Sequence, residues 1–124
     1  MIKGIRIGNI GIDCKDAKKL QNFYSELLGW EKREMYGCPA LCSEDGMVFL
    51  FDQATDYDYI KPVWPEDATH QQKQMHFDFQ VDDLETAILQ AQTLGAIKAE
   101  SQFGGDQFVT FFDPEGHPFC LCAK

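Results

Sequence analysis

Apolar residues recur at helical spacing in two stretches of this chain. After Asp16, the positions Ala17, Leu20, Tyr24, Leu27 and Leu28 share one helix face, and Gly29 follows as a stop. After Asp83, Leu84, Ala87, Ile88, Ala91 and Leu94 repeat the pattern, and Gly95 closes it. Each aspartate is a candidate N-cap, because a carboxylate accepts from the free amides of a first turn, although Asp82 could equally serve the second helix. The spacing therefore predicts helices over about 16–28 and 83–94.

Alternation predicts strands around both. Ile10, Ile12 and Cys14 alternate before the first helix. Ile5 and Ile7 alternate in the opposite phase, so a β-bulge is expected near Gly8–Asn9. MVFLF (47–51), QFVTFF (107–112) and PFCLC (118–122) are β-rich runs, with DPEG (113–116) a turn between the last two. The stretch MHFDFQVDD (75–83) places Phe77, Phe79 and Val81 on one face of a strand and His76, Asp78 and Gln80 on the other. That polar set either meets water or lines a cavity that binds a metal or a substrate.

The two halves repeat one another. A shift of 67 carries Asn9 onto His76, Asp16 onto Asp83 and Leu27 onto Leu94, and one residue of slip brings Gly29 to Gly95. Near the ends a shift of 70 carries Gly46 onto Gly116, Phe49 onto Phe119 and Leu50 onto Cys120. The agreements fall on caps, turns and core positions, where two copies of one motif must agree. The reading is an α+β chain of two βαβββ modules, about 1–51 and 75–124, in one domain. Residues 52–74 form the linker, with two prolines, Trp64 and two tyrosines. A connection this long serves as a lid or interface segment, or as a solvated connector with Trp64 tucked onto the surface.

Composition narrows the partners. At 44% hydrophobic residues, 124 residues suffice for one core. A net charge of −9 argues against nucleic acid and anionic membranes, which need clustered Lys and Arg. No apolar run approaches a membrane span, and MIKGIRIG lacks the apolar core of a signal peptide. Five cysteines with no CxxC pair suggest reduced thiols in the cytoplasm, not a disulfide framework or a zinc ribbon. His70 and His117 are expected in solvent, and Cys120 and Cys122 share a strand face as small buried hydrophobes. FGGD (103–106) has a hairpin's composition, not a phosphate loop's.

The segments IGNIGIDCKDAKKLQNFYSELLGW, KQMHFDFQVDDLETAILQAQTLGA and FFDPEGHPFCLC resemble the glyoxalase/bleomycin-resistance/extradiol-dioxygenase superfamily, the vicinal oxygen chelate proteins. The nearest likeness is to its small glyoxalase-like subgroup. The resemblance implies paired βαβββ modules whose sheets curl into a cup, helices packed outside. It also implies four metal-ligand places, which fall here on Asn9, Leu50, His76 and Cys120. Only His76 is a standard ligand among them; Cys120 could serve as a thiolate, Asn9 is poor and Leu50 has no donor. Asp78 shares the face of His76, but roughly 6.5–7 Å between positions i and i+2 of a strand makes a shared ion awkward. The expectation is no cofactor and no catalytic metal, the alternative being a divalent ion at His76.

The predicted function is binding of a small organic molecule. Asn9, Leu50, His76, Asp78, Phe112 and Cys120 are the candidate lining residues, with Trp64 as lid. A metal-dependent lyase or isomerase of the glyoxalase kind is the enzymatic alternative, and a non-catalytic structural or regulatory module is the third. A homodimer is expected from the resemblance and from the apolar groups Tyr57, Tyr59, Val63 and Trp64.

Overall fold

Both predicted helices form where the caps place them. A computed structural model describes all 124 residues, which divide into a first unit, 1–59, and a second, 60–124. In the first unit, β1 (Ile10–Cys14) leads into α1 (Ala17–Leu28), followed by β2 (Glu31–Met35), β3 (Cys38–Cys42) and β4 (Val48–Gln53). The second unit repeats the order: β5 (Phe77–Val81), α2 (Leu84–Thr93), β6 (Ile97–Lys98), β7 (Phe108–Phe112) and β8 (Pro118–Ala123). Each unit is thus a βαβββ module with one four-stranded mixed sheet, ordered β1-β4-β3-β2 and β5-β8-β7-β6.

Asp16 caps α1 by accepting from the Lys19 amide, and Asp83, not Asp82, caps α2 through Thr86. Gly29 ends α1 at φ 71°, a left-handed conformation that a side chain would strain. The repeat extends to strand register. Ile10 lies opposite Phe49 on the parallel β1–β4 pair, and Phe77 opposite Phe119 on β5–β8, the same positions under the 67 and 70 shifts.

Packing follows the pleat. In the first unit Tyr24 of α1 meets Phe49 edge-on and stacks on Phe51, so α1 covers the face bearing those rings. In the second, Phe111 stacks on Phe119, which meets Phe79 edge-on. These rings share one face of β5, β8 and β7, with Phe111 and Phe119 fully buried and Phe79 half-buried, and α2 packs against β8.

The bulge near Gly8–Asn9 does not form. Residues 1–9 take no strand conformation, and Ile5 and Ile7 stay 71% and 67% exposed. Their alternation has no neighbouring strand to pair with, and a strand needs its ladder more than its pattern. No helix is long and apolar enough to cross a membrane.

Candidate functional site

The alternation of β5 sends Asp78 and Gln80 to the face opposite the ring stack, the side to which His76, just before the strand, belongs. Register carries that face across the sheet. Asp78 lies opposite Cys120, which lies opposite Thr110, while Phe112 faces Pro118 and Phe108 faces Cys122. The result is a polar row, Asp78–Cys120–Thr110, with a half-buried phenylalanine two residues to either side of Thr110.

His76 and Asp78 touch. His76 Nε2 lies 3.1 Å from Asp78 Oδ1, with side chains 37% and 56% exposed. The strand spacing that made a shared site awkward is bridged because both side chains lean toward one another. Cys120 joins them, so that the ligand atoms of His76, Asp78 and Cys120 all lie within 4.8 Å of one another. Its thiol contacts the buried Thr110 hydroxyl at 3.2 Å. Burial pushes the Cys120 thiol up, and the charge of Asp78 adds to the shift; Cys122 is raised for the same two reasons. Both sulfurs therefore stay protonated near neutrality.

Thr110 is held by a residue that the sequence pattern does not reveal. The Gln102 carboxamide accepts from the Thr110 amide at 2.9 Å and donates to the Thr110 carbonyl at 2.8 Å and that of Ala99 at 2.7 Å. Beyond the two residues of β6, this side chain takes over the pairing a longer strand would provide. Nothing in SQFGGD signals it, because the role depends on where the loop returns to β7.

Trp64 is anchored on the same loop. Its indole N–H donates to the Ser101 carbonyl at 3.1 Å, its ring meets Phe103 edge-on, and Lys73 lies 5.0 Å over it while pairing with Glu66. Residues 60–74 belong to the second unit and are fixed there by Trp64, by the Val63–Gln71 backbone bond and by a turn around Asp67. The ring of His70, 60% exposed as expected, and Thr69 lower the Asp67 carboxyl to about 2.

His117 departs from expectation. Its Nδ1 lies 2.8 Å from Oδ2 of the buried Asp113, so the ring is half-buried against the turn, not free in solvent. Asn9 and Leu50 belong to the first unit: Asn9 is exposed just before β1, and Leu50 is half-buried on β4 opposite Gly11 and Ala40. Neither brings a strong metal donor, so the four-strand ligand set that the resemblance implies is not reproduced. The three donors of the second unit fit a zinc site in number, but the thiol among them would first have to lose a proton that its surroundings hold.

The sequence pattern of a glyoxalase-like domain matches residues 9–122. No curated protein sequence matches the chain. Solved structures share the fold at low identity. The fosfomycin resistance protein FosX from Listeria monocytogenes superposes with a TM-score of 0.68 at 18% identity, over 100% of this chain and 93% of its own. TnmS3, an antibiotic binding protein from Streptomyces sp. CB03234, gives 0.65 at 13% identity, over 99% and 98%. A glyoxalase/bleomycin resistance protein/dioxygenase family enzyme from Burkholderia phytofirmans gives 0.66 at 14%, over 94% and 96%. Two βαβββ modules, and a match over almost the whole chain, make this protein a member of the glyoxalase-like domain family within the vicinal oxygen chelate superfamily.

Proposed function

We propose that this chain binds a small organic molecule on the second unit's sheet face, and that it does so without a resident catalytic metal. One observation carries the reading: an accessible His76–Asp78 pair sits on a face that also bears half-buried Phe108 and Phe112. Converging polar groups beside an apolar wall are the usual makeup of a small-molecule site. The fold houses an antibiotic binding protein in Streptomyces, which lends the reading support by analogy only. The five cysteines are all free, and we place the protein in the cytoplasm on that ground.

His76→Phe tests the proposal. The side chain lies off the ring stack, so the thermal midpoint should hold within a few degrees, a change of roughly 0.5 kcal/mol. Affinity for a ligand found by NMR fragment screening should change about tenfold, because the substitution removes one of the two polar side chains of the pair. A collapse in stability with unchanged binding would show that His76 is a structural residue.

A second reading, a metal-dependent lyase or isomerase of the glyoxalase kind, is favoured by the three donors within 4.8 Å of one another. Metal analysis decides between the two. One zinc, nickel or iron per chain, lost on His76→Ala, would establish the second and overturn the first.

We further propose a homodimer. In the first unit Ile2, Ile5, Ile7 and Tyr57 are exposed large apolar groups that a second copy would cover. Light scattering at micromolar protein should give twice the chain mass of 14.1 kDa, and the monomer mass alone would sink the idea.

A further inference from the structure

We propose that the molecule taken by this face is an organic cation, an amine, amidine or guanidinium on an aromatic or aliphatic body. The inference rests on the small-molecule reading and adds the ligand's charge. Asp78 presents a carboxylate that is more than half exposed, on the same side as Phe108 and Phe112. An ammonium group placed beside Asp78 would have an acidic partner, and the half-buried phenylalanines of the same face would be left for the ligand's apolar body.

The Phe108 ring is fixed there by its own packing. It lies so close to Gly104 that a Cβ at that position would fall 2.6 Å from the ring and 2.3 Å from the Phe108 carbonyl oxygen. Its position is therefore set before any ligand arrives, and little ordering is left to oppose binding.

The same face offers an anion no charged partner apart from the His76 ring that already contacts Asp78. The second unit has four lysines and no arginine. Each lysine is placed elsewhere. The Lys61 stem runs over Gly116 in the turn between β7 and β8, and Lys73 lies over Trp64. Lys98 sits opposite Phe111 on the ring-stack side, and Lys124 reaches Asp82. A carboxylate or phosphate would meet Asp78 with no fixed cation to offset it.

Three probes with one indole body separate the terms: tryptamine (cationic), 3-methylindole (neutral) and indole-3-acetate (anionic), each titrated by NMR into the full chain. Tryptamine should bind about tenfold more tightly than 3-methylindole, with indole-3-acetate weakest. Asp78→Asn, an exposed substitution whose fold is checked by circular dichroism, should bring tryptamine down to the neutral probe. Equal affinity of tryptamine and 3-methylindole, or a tryptamine advantage that survives Asp78→Asn, overturns the charge assignment and leaves the small-molecule reading standing. Absence of binding by all three at millimolar concentration overturns both. Tighter binding of the acetate overturns the assignment outright.

Discussion

Phe111→Ala is expected to remove about 3–5 kcal/mol of stability, while Phe112→Ala, one residue along the same strand, costs about 1 kcal/mol or less. Phe111 is fully buried, stacked on Phe119 at 5.8 Å between centroids, with Phe79 edge-on beyond it. Truncation leaves a cavity among rings that sit on three strands and cannot all move to fill it. Phe112 points to the other face and is half-buried. Losses of several kcal/mol are a large fraction of what a chain of this size has. The comparison is sharp because a one-residue slip of β7 would exchange the two environments. Chemical denaturation of both variants reads it directly: a Phe112→Ala loss equal to that of Phe111→Ala would mean that the register, and with it the face assigned to Asp78, Cys120 and Thr110, is wrong.

How much of this was legible in the sequence depended on whether a residue's role is local. The caps Asp16 and Asp83 and the stops Gly29 and Gly95 act within a turn or two of themselves, and they placed both helices. The repeat anticipated more than elements, since the 67 and 70 shifts carry Ile10 and Phe49, which lie opposite one another on β1 and β4, onto Phe77 and Phe119, which lie opposite one another on β5 and β8. Strand β2, EKREM, left no signal because as the outer strand it is exposed at four of its five residues, and β3 carries Pro39 in a short run. The two residues of β6 are too few for any period.

The site divides in the same way. His76, Asp78, Phe112 and Cys120 followed from alternation and resemblance, and the structure puts all four on one side of the second sheet. Thr110 could have been found, because it lies two residues before Phe112 and therefore on the same face. The support of Thr110 by Gln102 could not, since it depends on where the loop bearing Gln102 returns to β7.

Asp113→Ala is the second large effect, and the molecule carries its own control. The carboxyl of Asp113, 2% exposed, accepts through Oδ1 from the amides of Glu115 at 2.9 Å and His117 at 3.0 Å, and its Oδ2 lies against the His117 ring. The backbone closes the turn by Asp113 N to His117 O and Gly116 N to Asp113 O. Seventy residues earlier the first unit makes the same turn with a smaller side chain: Ser43 N to Met47 O, Gly46 N to Ser43 O, and Met47 N donating to Ser43 Oγ at 2.8 Å. Ser43→Ala removes one such acceptor at a half-buried site and should cost about 1 kcal/mol. Asp113→Ala strips partners from two amides and a ring nitrogen in a buried turn, and should cost about 3 kcal/mol or more. Asp113→Asn keeps an oxygen for the amides but places an NH₂ or a neutral oxygen against the His117 ring, and should fall between the two. The three variants are compared by urea denaturation at neutral pH. If Asp113→Ala loses no more than Ser43→Ala, the buried carboxyl is not what holds β7 to β8 at their shared turn, and the chain crossing from Phe112 to Pro118 must be fixed by the strand pairing alone.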